Sequence, residues 1–76
     1  MARSDVDKLL EFKVYYFEAY KFKYRLTGKE CVNIFNKYKV FDYLNDYYDV
    51  LHTTSKEYVL DDIDIYINSR KKVNKI

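Results

Sequence analysis

Apolar residues recur at intervals of three and four along most of this chain, the spacing that places them on one side of an α-helix. Proline is absent and glycine occurs once, at Gly28, so few residues interrupt a helix. The pattern predicts an all-α fold, a compact bundle of about four helices that forms a single domain over residues 1–76. The predicted helices are Ser4–Arg25, Gly28–Tyr38, Phe41–Leu51 and Ser55–Lys71.

Two of the predicted helix starts carry a capping box, in which a hydroxyl accepts from a backbone amide and an acid three residues later returns the bond. Thr27 and Glu30 form the first box, and Thr54 and Glu57 form the second. We therefore expect Thr27 and Thr54 to be the N-cap residues of the second and fourth helices.

One segment of the last helix also fits a β-strand. Asp62–Ile67 alternates polar and apolar residues with a period of two. Helix is preferred because no second convincing strand is present to pair with it, and an extended segment near residues 62–67 stays open as the alternative. As a helix, the segment and its neighbours place four residues toward the core and leave Ile65 outside. The four core residues are Val59, Ile63, Tyr66 and Ile67.

The first helix has two apolar sectors when its residues are placed at 100° steps. The broader sector is the expected core face and contains Val6, Leu9, Leu10, Val14, Tyr16, Phe17, Tyr20 and Tyr24. The narrower sector follows the 3-4 spacing of paired helices and contains Phe12, Tyr15, Ala19, Phe22 and Leu26. A helix that is apolar on two sides needs two coverings. The second covering is either the rest of the small domain or a partner surface.

Charge is small in sum but uneven along the chain. The net charge is +2, yet seven acids stand against one base, Lys56, between residues 42 and 64. The basic groups on either side are Lys21, Lys23, Arg25 and Lys29, and Arg70, Lys71, Lys72 and Lys75. A DNA-reading third helix is disfavoured because Asp42, Asp46 and Asp49 would meet the phosphates with like charge. The basic groups and the tyrosines leave nucleic-acid binding as the alternative function.

His52 is the only histidine and the strongest candidate for chemistry. Asp49 precedes it at a spacing that lets the two side chains face each other, and Thr53 and Thr54 follow it. A lone Asp-His pair without a strong nucleophile is weak support for catalysis, so we interpret His52 as the end of a helix, where a cation is favoured. One histidine with scattered carboxylates gives no recognised metal spacing, and we expect no metal or cofactor.

Cysteine content and the absence of membrane signals predict a soluble, cytoplasmic protein. Cys31 is the only cysteine, so no disulfide forms within the chain, and its place on an apolar stripe indicates a small buried hydrophobe. The N-terminus lacks the apolar run of a signal peptide, and no stretch is long and apolar enough to span a membrane. A chain of 76 residues buries only about 60% of its unfolded surface, so its core is small.

Several short motifs along the chain form a recognisable set, namely Tyr43-Leu44, Tyr48–Thr53, Tyr58-Val59 and Asp62-Ile63, with Phe12, Glu18, Tyr20 and Gly28–Glu30 upstream. Together they resemble a small bacterial family catalogued as domain of unknown function 3791. The resemblance covers about residues 10 to 70, and the Y-D-x-L-H core is its most distinctive part. Lys39 departs from the pattern, since the resemblance implies a glycine that closes the second helix there.

The resemblance implies a partner or antitoxin role, because members of this family are often encoded beside proteins that resemble ADP-ribosyltransferase toxins. It marks Tyr48, Asp49 and His52 as family-pattern residues without naming a reaction. We therefore expect a non-enzymatic protein-binding module whose partner is a toxin-like protein or a second copy of this chain in a homodimer, with no membrane association. The candidate contact residues are Phe12, Tyr15, Phe22, Leu26, Asp46, Tyr48, Asp49 and His52.

Overall fold

A computed structural model describes residues 5–73 of the chain. In that part the chain forms five helices and no strand. The helices are α1 (Asp5–Lys23), α2 (Gly28–Lys37), α3 (Val40–Asp46), α4 (Tyr48–Leu51) and α5 (Lys56–Val73). The all-α prediction is confirmed, and the strand alternative for Asp62–Ile67 is wrong because this segment lies inside α5. The predicted helix start at Ser4 and the side chains of Lys72 and Lys75 lie outside the described residues.

The third predicted helix, Phe41–Leu51, is wrong in one respect, because it is two helices that meet at Tyr47. Tyr47 has φ −109° and ψ 18°, outside the helical range, although its N–H still donates to the Tyr43 carbonyl at 3.1 Å. Leu44 before the bend and Leu51 after it are both buried. The bend thus redirects the chain without removing either leucine from the core.

The core is aromatic at its centre. Phe35 of α2 is 0% exposed, and three rings from α1 and α3 contact it. The ring centroids of Phe17, Tyr20 and Phe41 lie 5.5, 5.4 and 5.1 Å from the Phe35 centroid. All three pairs are edge-on, an arrangement that ring quadrupoles favour. The remaining fully buried side chains come from α2, α3 and α5, and they are Cys31, Val40, Leu44, Val59 and Ile63.

Helix α1 turns a different side to the core than its pattern predicts. Tyr16 and Tyr20 of the expected core face are buried, and Leu9 and Phe17 are half-buried. The other members of that face are exposed, namely Val6, Leu10, Val14 and Tyr24. The narrower sector divides as well: Phe12, Ala19 and Leu26 pack against the core, whereas Tyr15 and Phe22 are exposed. The core direction therefore lies between the two sectors, and each contributes only one edge to it.

The predicted core face of α5 is confirmed. Val59, Ile63 and Ile67 are buried, and Tyr66 packs against the core while half-buried. Ile65 is exposed, as expected. None of the helices in residues 5–73 combines the length and the apolar character needed to cross a membrane.

The first predicted capping box is confirmed and the second is wrong by one residue. Thr27 Oγ1 accepts from the Glu30 amide at 3.1 Å, and the Thr27 amide donates to Glu30 Oε1 at 2.8 Å. At α5, Ser55 Oγ accepts from the Tyr58 amide at 3.3 Å. Thr54 Oγ1 donates instead to the Val50 carbonyl at 3.0 Å. The helix begins at Lys56, so its N-cap lies one residue later than Thr54.

Replacing Ser55 by Ala is expected to lower the free energy of unfolding by about 1 kcal/mol, because the Tyr58 amide loses its acceptor. Thr54→Ala is the matched control and should cost less, since it removes only a hydroxyl bond to the end of the preceding helix. Urea unfolding followed by circular dichroism measures both. A larger loss of unfolding free energy in Thr54→Ala than in Ser55→Ala would show that Thr54 is the N-cap.

Two non-glycine residues have positive φ, and each follows the end of a helix. Arg25 has φ 54°, and next to it the Leu26 amide donates to the Lys21 carbonyl at 2.9 Å, a bond typical of a Schellman end. Lys39 has φ 56° and ψ 43° and separates α2 from α3. The left-handed conformation at Lys39 is the one that glycine adopts at no steric cost, which agrees with the glycine that the resemblance implies there.

Lys39→Gly is expected to raise the free energy of unfolding by about 0.5–1 kcal/mol, because it removes the Cβ strain of the left-handed conformation. Lys37→Gly, inside the last turn of α2, is the control and should lower stability by up to about 1 kcal/mol. Thermal and urea unfolding of both variants give the sign of each change in the free energy of unfolding. Destabilisation by Lys39→Gly would show that the left-handed backbone is not the source of strain.

Candidate protein-binding groove

A groove opens between the first half of α1 and the short helix α4. It encloses about 500 Å³ and is lined by Lys8, Glu11, Phe12, Tyr15, Tyr16, Tyr48 and His52. Four of the eight predicted contact residues therefore lie together here, although they come from positions up to 40 residues apart. We refer to it as the α1–α4 groove.

Aromatic contacts fix the floor of the α1–α4 groove. The Phe12 ring meets the Tyr48 ring edge-on at 5.0 Å and 89°, which joins α1 to α4. Phe12 also contacts Tyr16 at 5.0 Å, and Tyr15 contacts Tyr16 at 4.9 Å and 88°. Tyr16 is buried, and burial raises the pKa of its hydroxyl, so the group stays neutral. Rings held by several neighbours present an ordered apolar surface to a partner.

His52 is held by its own helix. Its ring stacks on the Tyr48 ring at 4.7 Å and 12°, and Nδ1 lies 2.7 Å from the Tyr48 carbonyl oxygen. A carbonyl oxygen can only accept, so Nδ1 donates. His52 is the C-cap of α4, which agrees with its interpretation as a helix end. Among residues 5–73, neither a hydrogen bond nor an ion pair joins Asp49 to His52.

The groups that could serve chemistry near His52 are directed elsewhere. Thr53 and Thr54 both donate their hydroxyls to the Val50 carbonyl, at 3.1 and 3.0 Å. Cys31 is fully buried with Sγ 3.6 Å from the Phe17 carbonyl, and burial raises the pKa of its thiol to about 11. Within the described chain, no three His, Cys, Asp or Glu side chains are grouped to hold a metal ion.

The other predicted contact residues lie outside the α1–α4 groove. Asp46 and Asp49 line a neighbouring depression that shares Tyr48 with it, so an acidic patch adjoins the aromatic floor. Phe22 and Leu26 lie at the opposite end of α1 beside Lys21 and Lys23. The eight residues therefore form two adjoining patches and one remote patch.

Sequence reasoning missed a surface that α1 presents to solvent. Val6, Leu10, Val14 and Phe22 follow one another at multiples of four residues and are all exposed. We call these four residues the α1 ridge. The four-residue spacing was present in the sequence, but it assigned three of the four to the core. Only the contacts of α1 with the other helices reveal that these residues are exposed.

The fold and the grooves define a small all-α protein with an aromatic groove and an adjoining acidic patch. A family model described as "Protein of unknown function (DUF3791)" matches residues 11–70. The chain belongs to that family, and the resemblance inferred from its motifs is confirmed. Neither the curated proteins nor the solved structures include a significant match to this chain.

Proposed function

We propose that this protein is a small, non-enzymatic protein-binding module that acts as an antitoxin-like or accessory partner of an ADP-ribosyltransferase-like toxin. One observation carries the proposal. Of the eleven large hydrophobic side chains exposed in residues 6–71, five lie on α1, namely Val6, Leu10, Val14, Tyr15 and Phe22. Several exposed large apolar side chains on one helix are typical of an interaction site.

The surroundings of α1 support a protein as the partner. Rings are enriched in protein interfaces because they bury a large area with little loss of side-chain freedom. Tyr15 is 51% exposed beside the more buried Phe12 and Tyr48, so it can act as an anchor on a preformed floor. Asp46 and Asp49 add negative charge at the rim, which complements a basic partner.

The proposal is tested by placing charge on the exposed part of α1. Tyr15→Lys and Phe22→Lys are expected to weaken capture of an ADP-ribosyltransferase-like toxin at least about tenfold, because each buries a charge at the contact. Helicity should be unchanged, since both side chains are exposed. Affinity is measured by titration calorimetry, and function by growth of cells that express the toxin with each variant.

Ile65→Lys is the matched control, because Ile65 is an exposed apolar residue on α5 outside the α1–α4 groove. It should bind and protect as the unmodified protein does. Folded Tyr15→Lys and Phe22→Lys variants that keep full affinity would remove the proposal, whereas loss of binding in all three variants would indicate a nonspecific effect of added charge.

Nucleic-acid binding is the second candidate, and one cluster of cations supports it. Lys37 lies 5.3 Å and Lys71 5.9 Å from the Tyr38 ring, and Arg70 lies 4.6 Å from the Tyr66 ring. Base stacking on these rings is disfavoured, because Tyr38 is buried and Tyr66 is already stacked on Tyr43 at 4.4 Å. Any binding would therefore depend on phosphate contacts alone.

Such binding would fall steeply with added salt and would weaken in Lys37→Gln and Arg70→Gln, while Tyr15→Lys would leave it intact. A salt series with fluorescent single-stranded DNA distinguishes the two candidates. We expect little binding at physiological salt. Tight, salt-sensitive binding that Arg70→Gln abolishes would favour the second candidate over the first.

A further inference from the structure

A second groove lies between the end of α1, helix α2 and helix α5, and it shares no lining residue with the α1–α4 groove. It encloses about 540 Å³, within the range of roughly 300–1,000 Å³ typical of small-molecule sites. Leu26, Ile34 and Ile67 form its apolar part. We call it the α5 groove.

One face of α5 supplies the polar part of the α5 groove. Asp64, Asn68 and Lys71 line it and share that face with Ile67, because residues three and four apart on a helix are neighbours. Seven residues of helix separate the two charged ends by roughly 10 Å. The groove therefore has an acidic end, an apolar centre and a basic end.

The acidic end is already neutralised within the protein. Lys23 Nζ lies 3.3 Å from Asp64 Oδ2, and the Tyr24 hydroxyl donates to the same oxygen at 2.5 Å. That hydrogen bond, together with partial burial, raises the pKa of the Tyr24 hydroxyl and so keeps the donor protonated. Because Asp64 has a cation and a donor, this end does not require a charged ligand.

Lys71, at the basic end, has no oppositely charged partner among the described side chains. No carboxylate among the described side chains pairs with Lys71, whose ammonium contacts only the Tyr38 ring. Lys37 Nζ lies near the same ring, so two like charges from different helices share one neighbour. An anion at this end would be attracted to the Lys71 ammonium, and the side-chain amide of Asn68 can donate to it.

We infer that the α5 groove binds a small amphiphilic carboxylate, with its apolar chain against Leu26, Ile34 and Ile67 and its carboxylate at Lys71 and Asn68. The inference is independent of the proposed protein partner, because the α5 groove and the α1–α4 groove share no lining residue. The inference rests on two observations: the groove has an apolar surface, and the Lys71 cation at one end of that surface has no carboxylate partner among the described side chains.

The test compares decanoate with decanol, which has the same chain length without the charge, by ¹⁵N–¹H NMR titration of the full chain. Decanoate is expected to shift the amide signals of Leu26, Ile34 and the 67–71 segment. Decanol should shift the same signals with about three- to tenfold weaker affinity, since a partly exposed ion pair contributes modestly. Equal affinities, or shifts centred on the α1 ridge, would overturn the inference.

Variants separate the two parts of the α5 groove. Lys71→Gln should reduce decanoate affinity to that of decanol and leave decanol unchanged, whereas Lys56→Gln, at the far end of α5, should change neither. Ile34→Ser should weaken both ligands, and Leu26→Ser replaces it if Ile34→Ser loses its dispersed spectrum. Full decanoate affinity in Lys71→Gln would show that Lys71 does not bind the carboxylate.

Tighter binding of acetyl-Ala-Ala-Leu than of decanoate would indicate a polypeptide C-terminus instead, and would overturn the assignment to a small molecule.

Discussion

Replacing Phe35 by Ala is expected to remove most of the stability of the protein at room temperature. Phe35 is 0% exposed, and its ring joins α2 to Phe17 and Tyr20 of α1 and to Phe41 of α3. Removing a buried Phe ring typically costs about 3–5 kcal/mol, because transfer energy is lost and a cavity remains. A domain of this size has a total stability of only about 5 kcal/mol, at the low end of the usual range.

Phe22→Ala is the control, since it removes the same ring from a side chain that is 86% exposed. We expect it to change the free energy of unfolding by less than about 0.5 kcal/mol. Urea unfolding followed by circular dichroism gives both values. A loss below about 1 kcal/mol in Phe35→Ala would show that the neighbouring rings close the cavity and that the core does not depend on this residue.

Features governed by local chemistry could be predicted from the sequence. The capping box of Thr27 and Glu30 needs only four consecutive residues, and both of its bonds form. The helical state of Asp62–Ile67 followed from the lack of a second strand, which is a property of the whole chain and therefore also readable. Features set by contacts between distant residues were harder.

Helix α1 shows why the core direction could not be predicted. Its sequence is apolar on most sides, so no single 100° sector stands out. The side that becomes buried is chosen by where α2, α3 and α5 lie, and these bury Tyr16 and Tyr20 but leave Leu10 and Val14 in solvent. A hydrophobic pattern predicts which side of a helix faces the core only when the other sides of that helix are polar.

The bend at Tyr47 had no local signal either. Tyrosine is tolerated in helices, and the residues around it keep helical spacing from Phe41 to Leu51. The bend accompanies the burial of Leu44 and Leu51, which is a tertiary effect. Lys39 differs, because the family resemblance pointed to glycine there and the left-handed backbone explains why.

Contacts within one helix of the candidate grooves could be predicted from the sequence, but contacts between helices could not. Tyr48 and His52 are four residues apart on one helix, so their stacking follows from spacing. The contact of Phe12 with Tyr48 and the joint lining of the α5 groove by Leu26 and Lys71 depend on how the helices pack. Charge patterning identified Lys71 as basic but gave no means of seeing that no carboxylate among the described side chains pairs with it.

Raising the pH from 9 to 12 is expected to unfold the protein through its buried phenols and thiol. Burial raises the pKa of Tyr16, Tyr20 and Tyr43, and the nearby Asp64 carboxylate raises that of Tyr20 further. Burial also raises the pKa of the Cys31 thiol to about 11. In the folded protein these groups therefore keep their protons to higher pH than in the unfolded chain.

The direction of the effect follows from proton binding. Above the unfolded pKa values, about 8.5 for Cys and 10 for Tyr, the unfolded chain holds fewer protons than the folded one, so the free energy of unfolding falls as pH rises. The stabilisation is fully present below those values and is lost as pH rises through the folded pKa of each group. Each buried group contributes a slope of about 1.4 kcal/mol per pH unit between its unfolded and its folded pKa, so the loss of stability steepens as more of these groups titrate.

Urea unfolding at pH 8, 10 and 11, with tyrosinate absorbance recorded in parallel, measures this slope. Tyr20→Phe should reduce it by about one proton, or about 1.4 kcal/mol per pH unit, because the substituted ring has nothing to titrate. Ser55→Ala is the control, since it lowers stability at every pH through the lost cap and leaves the slope unchanged. If Tyr20→Phe kept the full slope while Ser55→Ala behaved as expected, alkaline unfolding would have to arise from groups other than the Tyr20 hydroxyl, and its burial against Asp64 would not govern stability at high pH.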